Sequence, residues 1–188
     1  TWDLRYPRPK VAGFSFPISA IPGRTVPEPL GPFVTPGTYT VRLTVNGRRL
    51  TQPVRVRLDP RVRIPAAGLR ARDSLQLLLY RAVNEAADAM AQVRDLRTRV
   101  RERMAGATGA PAESLAALDR QLAVFDPAGG RSGRGAGAPA AGRGGAPTSP
   151  TLPQLQAELM TLYGIIEDAD FAPTTQVRSA ARVRLTRV

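Results

Sequence analysis

Two periods of apolar and polar residues divide the chain. Residues 1–65 alternate with a period of two, in short runs broken by proline. Pro7, Pro9, Pro17, Pro22, Pro27, Pro29, Pro32 and Pro36 exclude a long helix there, because proline lacks the amide a helix interior needs. Short β-prone pieces stand between them at residues 2–6 and 13–16. The clearest alternation covers residues 38–58. Tyr39, Val41, Leu43 and Val45 alternate with Thr40, Arg42 and Thr44; Leu50, Val54, Val56 and Leu58 form the apolar set of the return strand, with Arg55 and Arg57 opposite. Asn46-Gly47 lies between the two runs and tolerates the positive φ angles of a two-residue turn. Pro36-Gly37 supplies a turn before the first strand. The pattern predicts a β-hairpin with one apolar and one wet face, as in one half of an antiparallel sandwich. The lone Trp2 is expected in the core of that sandwich.

After Asp59-Pro60-Arg61-Val62 the period changes to about 3.5. Leu75, Leu79, Ala82, Ala86, Ala89, Val93, Leu96 and Val100 step by alternating fours and threes. This predicts one long helix, capped at Asp73 or Ser74, running to Ala105 and closed by Gly106 and Gly109-Ala110-Pro111. A second, shorter helix carries Leu115, Leu118, Leu122 and Phe125 and folds back as an antiparallel hairpin. Residues 127–150 are Gly, Ala, Pro, Ser, Thr and Arg without an apolar anchor, which predicts a flexible linker. A third helix carries Leu152, Leu155, Leu159, Leu162 and Ile166. Asp168 and Asp170 mark the break after it, and Pro173 suits the first turn of a fourth helix bearing Val177, Ala181, Leu185 and Val188. The expected fold class is α+β: a small β-sandwich over 1–65, a helical hairpin over 66–126, the linker over 127–150, and two further helices of an antiparallel bundle over 151–188.

Composition removes most catalytic chemistries. The 188 residues contain no Cys and no His. Thiolate nucleophiles, disulfides, cysteine-based zinc sites, Ser-His-Asp triads and imidazole proton shuttles are therefore excluded for this chain. The pairs Asp168/Asp170 and Asp3/Asp59 are the only carboxylates suggestive of glycosidase chemistry, and Asp168 and Asp170 read as helix caps. The glycine-rich run lacks the order of a phosphate loop. No catalytic, cofactor-binding or metal-binding residue is therefore assigned, and no cofactor is expected.

With 27 Lys and Arg against 15 Asp and Glu, the formal charge is +12. Only Lys10 is a lysine. Arg94, Arg97, Arg99, Arg101 and Arg103 are interleaved with Asp88, Asp95 and Glu102, which reads as a solvated helix face with pairs four residues apart. Aromatic residues make up 5% of the chain, too few for a base-stacking platform, so nucleic acid is a weak candidate partner. Apolar runs are too short to span a bilayer. The chain opens on Thr1 without a basic or apolar leader pattern, which reads as a mature product, a domain or a fragment.

Three segments resemble one family. Thr1-Trp2-Asp3-Leu4-Arg5-Tyr6-Pro7, the stretch from Gly31-Pro32 through Pro36-Gly37-Thr38-Tyr39-Thr40-Val41-Arg42-Leu43 to Asp59-Pro60-Arg61, and Leu162-Tyr163 with Asp168-Ala169-Asp170 through Ala172-Pro173-Thr174 are similar to the C-terminal region of large bacterial BNR-repeat, sortilin-like β-propeller proteins described as glycosyl-hydrolase-like. The resemblance implies an immunoglobulin-like or fibronectin type III-like sandwich that begins partway through, followed by a helical bundle, in an extracytoplasmic protein. The Asp-box repeats of the propeller do not occur in this sequence, and no catalytic or ligand residue of the family maps onto it.

The functional expectation is a non-catalytic structural or interaction module. It would be an accessory or scaffolding part of a larger extracytoplasmic or membrane-associated assembly, with protein partners and no small-molecule substrate. One alternative is the C-terminal part of a glycoside hydrolase or sialidase-like propeller protein whose active site lies outside this chain. Another is a basic binder of nucleic acid or anionic surfaces.

Overall fold

The computed structural model describes residues 2–126 and 150–187. The order is β1 (Gly37–Val45), β2 (Arg48–Val56), α1 (Ala66–Met104), α2 (Ala110–Phe125), α3 (Leu152–Glu167) and α4 (Thr175–Leu185). The fold is mixed α and β. Among the described residues the one sheet is the antiparallel pair β1–β2, and no second sheet faces it.

The hairpin forms around the expected turn. Val45 pairs with Arg48, and Asn46 and Gly47 both take positive φ, 49° and 78°. Their positive φ values carry the right-handed twist of the strands through the turn. Register then puts Tyr39 opposite Val54, Val41 opposite Gln52 and Leu43 opposite Leu50. The apolar positions share one face as the alternation predicts.

Over residues 2–36 short extended pieces alternate with turns at 17–20 and 21–25, and Arg5, Lys10 and Leu30 bond the segment to the helices. Two backbone bonds join the pieces around residues 4–6 and 32–34: Tyr6 N–H donates to Pro32 O at 2.9 Å, and Val34 N–H to Leu4 O at 2.9 Å. Farther out, Ser15 and Glu28 exchange a pair of backbone bonds. The segment is held to the helices by Lys10, whose backbone amide donates to Asn84 Oδ1 at 2.7 Å and whose ammonium pairs with Asp88. Gln156 Nε2 donates both to Lys10 O and to Val83 O. Trp2 is not in a core. It is 42% exposed, donates its indole N–H to Arg5 O and packs edge-on against Tyr39. Among the described residues no second sheet stands above it to bury the ring.

α1 is the spine. It begins at Ala66, seven residues before the expected cap at Asp73, because the turn after Pro65 starts the helix without any side-chain cap. Asp73 is instead buried and accepts from the Arg72 guanidinium at 3.1 Å. The inner stripe also differs from the expected one. Leu79, Ala86 and Val100 are buried as the spacing predicts, and Leu75, Ala89 and Val93 are part-buried, Leu75 against the core; Gln76, Val83, Met90 and Arg97 widen the stripe to one side, and Leu96 falls outside it. Ala82, from the expected set, is also buried. Leu96 is 42% exposed.

The four helices do not close into one bundle. α2 packs on the C-terminal half of α1 and buries none of its side chains fully; Leu118 and Phe125 stay exposed. α3 and α4 pack on the N-terminal half, where Leu79, Ala82, Val83, Leu155, Leu159, Tyr163, Ile166 and Ala181 form the core. α3 runs antiparallel to α1, with Gln156 bonded to Val83 O and Arg72 bonded to Ala169 O. A capping box of Thr151 and Gln154 starts α3. Thr174, not Asp168 or Asp170, caps α4 by accepting from Val177 N–H, and Pro173 lies outside that helix rather than in its first turn. The linker expected over 127–150 falls outside the described residues except for Pro150, as does Val188.

Candidate functional site

The most distinctive surface is the apolar face of the hairpin. Val41, Leu43 and Val45 on β1 and Leu50 and Val54 on β2 lie on that face, and each is 36–56% exposed. Toward the root, Tyr39 and Val56 on the same face are themselves partly buried. Tyr39 is fixed there by donating its hydroxyl to Thr35 O at 2.6 Å. An isolated two-stranded ribbon is marginal in water, because one layer cannot remove its own apolar face from solvent. The opposite face is Thr38, Thr40, Arg42 and Thr44 against Arg55, Pro53, Thr51 and Arg49. No acidic residue occurs between Gly37 and Leu58, and among the described residues Arg42, Arg48, Arg49 and Arg55 pair with no carboxylate.

At the root of the hairpin a cleft of about 300 Å³ opens toward α1 and α3. Leu4, Phe33, Val56, Leu58 and Val62 line it, with Arg72, Glu167 and Asp170 supplying charge. A second cleft, of about 390 Å³, lies between the N-terminal segment and α3 and contains Arg5, Glu28, Tyr163, Gly164 and Glu167. Arg5 forms an ion pair with Glu167 and donates to Gly31 O at 2.6 Å. Its guanidinium also stacks on Phe33, 3.6 Å from the ring centre. Burial pushes the Glu167 carboxyl above the ordinary range, and the Arg5 charge opposes that shift. Burial likewise raises the Tyr163 phenol, which donates to Leu30 O at 2.9 Å. These groups satisfy one another, and their geometry is that of a tie between two segments.

The carboxylates singled out from sequence have separate, local roles. Asp3 accepts from Arg5 N–H, and Asp59 is bonded by Arg61, which holds its carboxyl below the usual range. Asp168 ends α3, and Asp170 is exposed, 4.0 Å from Arg72. Among the described residues no group of three His, Cys, Asp or Glu side chains is placed to hold a metal ion. The arginines of α1 are not one solvated face. Only Arg99–Asp95 is a pair four residues apart; Arg97 and Arg101 reach Asp119, and Arg94 reaches the buried Asp126. No helix among the described residues is long and apolar enough to cross a membrane.

Sequence reasoning did not single out Arg5, Glu167 or Pro53. The first two gain their meaning only from a contact 162 positions apart. Pro53 does carry a signal, since a proline inside an alternating run marks an edge strand. Comparison with protein-family models, curated proteins and solved structures returned no match.

Proposed function

We propose that this chain is a non-catalytic structural and interaction module, an accessory part of a larger extracytoplasmic assembly. On this reading the hairpin is one part of an immunoglobulin-like or fibronectin type III-like sandwich, and polypeptide outside residues 1–188 supplies the strands that cover it. One observation carries the reading: five β-branched or leucine side chains share a face and all stay in water. A largely apolar face of this kind, broken by Gln52 opposite Val41 and Arg48 opposite Val45, is characteristic of a surface built for contact. The resemblance to the C-terminal region of BNR-repeat, sortilin-like propeller proteins supports the accessory role and the location outside the cytoplasm.

Sedimentation tests it. The isolated chain is expected to self-associate as concentration rises, and Val41→Ser with Leu43→Ser is expected to return it to a 20.1 kDa monomer with the helical core intact. A wild-type chain that stays monomeric at high concentration, with the same solubility as the double variant, would refute the reading.

A further inference from the structure

We propose that the sheet is extended at one edge only. The outer edge of β1 receives a partner strand that alternates apolar and acidic residues. This rests on the interaction-module reading and adds to it the edge, the direction of growth and the chemistry of the partner.

The edge follows from register. A two-residue turn closes on a pair that exchanges both of its backbone hydrogen bonds, and bonded and non-bonded pairs then alternate along an antiparallel ladder. Val45–Arg48 is that closing pair. Leu43–Leu50, Val41–Gln52, Tyr39–Val54 and Gly37–Val56 are therefore bonded pairs, and their N–H and C=O groups point inward. The backbone groups of Thr38, Thr40, Arg42 and Thr44 point out from β1, and those of Arg49, Thr51, Pro53 and Arg55 point out from β2.

The two edges are unequal. Pro53 has no N–H to offer, and it sits in the middle of the β2 edge between positions carrying Arg49 and Arg55. A proline at an outward position blocks strand addition, because it leaves the incoming strand without a donor at the centre of the edge. The β1 edge has a donor and an acceptor at all four outward positions. Among the described residues no backbone bond outside the hairpin engages them. From Thr38 to Thr44 the edge measures about 20 Å, the length of a strand of roughly seven residues.

The two faces specify the incoming strand. On one side it continues the face of Val41, Leu43 and Val45, so its residues there are apolar. On the other it lies beside Arg42, on a face that also carries Arg49 and Arg55 and no carboxylate, so its residues there are acidic. A second copy does not fit this edge: copies can associate face to face through their apolar side chains and leave the edge open, whereas pairing edge to edge would set two carboxylate-free hairpins side by side, Arg42 against like charge. Residues 127–149 do not fit either, since they contain Arg131, Arg134 and Arg143 but no acidic residue and no Val, Ile, Leu or aromatic residue.

The probe is a capped nine-residue peptide alternating Val and Glu, added to the 188-residue chain, with a Val/Lys peptide as control. Amide hydrogen exchange is read residue by residue. The Val/Glu peptide is expected to slow Thr38, Thr40, Arg42 and Thr44 by about tenfold or more and to leave Arg49, Thr51 and Arg55 unchanged. The Val/Lys peptide should have no effect. Thr40→Pro removes a central outward donor and no inward one, so it should abolish the response while Val41 and Leu43 keep their protection. Arg42→Glu, which leaves every backbone donor in place, should weaken the Val/Glu response. Protection at the β2 edge, an equal response to the Val/Lys peptide, or no change at the β1 edge under saturating peptide would overturn the proposal. If the peptide fails while the Val41→Ser, Leu43→Ser variant still loses association, the edge assignment falls and the module reading stands; if that variant behaves as wild type, the module reading falls.

Discussion

Arg5 and Glu167 meet as an ion pair across 162 positions of sequence, and both side chains are largely shielded from solvent. The pair joins the N-terminal segment to the last turn of α3. Arg5 makes the contact three ways at once, through Glu167, Gly31 O and the Phe33 ring. Its planar guanidinium permits all three, which a lysine ammonium would not.

Arg5→Ala is expected to lower stability by about 2–3 kcal/mol, the scale of a lost charge-assisted hydrogen bond whose partner stays shielded. Arg5→Lys should recover little of it. The Glu167 carboxyl, already pushed up by burial, should rise further once Arg5 is gone. Because this pKa is raised on folding, its contribution is complete below the ordinary glutamate range and is lost as pH rises through the folded value. Wild type should therefore exceed Glu167→Gln by more at pH 4 than at pH 7. Carboxyl-carbon NMR titration and denaturant unfolding across that range check both statements.

Gly31 lies where two backbones nearly touch. A Cβ there would stand 2.0 Å from Tyr6 O and 2.5 Å from Pro7 O, so the crossing cannot close around any other residue. Gly31→Ala should cost about 1–3 kcal/mol and loosen residues 4–6 and 32–34 together. Faster exchange of the Tyr6 and Val34 amides, with α3 unchanged, is the expected result.

Met90 and Leu96 distinguish the observed stripe of α1 from the one that apolar spacing suggests. Met90 is buried and Leu96 is not. Met90→Ala should cost about 2–3 kcal/mol, and Leu96→Ala less than about 1 kcal/mol. Equal losses in urea unfolding would contradict the packing.

Asp119 fastens α2 to α1. The Arg97 and Arg101 guanidinium groups hold its carboxyl below the usual range. A depressed pKa contributes stability that is complete above the ordinary aspartate range and lost as pH falls through the folded value. Acidification below that range should release α2 before the core formed by α1, α3 and α4. Asp119→Asn should release it at neutral pH, seen as faster exchange of α2 amides alone.

The sequence makes some of these features readable and hides others for physical reasons. Alternation around Asn46-Gly47 specifies the hairpin and its faces, because both depend on residues adjacent in the chain. Leu155, Leu159 and Ile166 on α3 are readable for the same reason. The start of α1 is hidden, since Pro65 leaves no side-chain cap to recognise. The width of its inner stripe is hidden because Gln76 and Arg97 point inward, and a pattern that counts only apolar residues skips them. Gln76 is buried, and Arg97 is paired with Asp119. The alternation predicts a second sheet over the hairpin, and the described residues contain none. Alternation shows that a face is apolar, and it does not show which polypeptide lies on it.

The central claim is that the apolar face of the hairpin is a contact surface in the native assembly. Hydroxyl-radical footprinting measures it most directly, by comparing the protein isolated from its native source with the purified 188-residue chain. The account predicts that Val41, Leu43, Val45, Leu50 and Val54 are labelled in the purified chain and shielded in the native material, while Leu96 and Phe171, exposed elsewhere, serve as internal references. Equal labelling of the five side chains in both samples would contradict it.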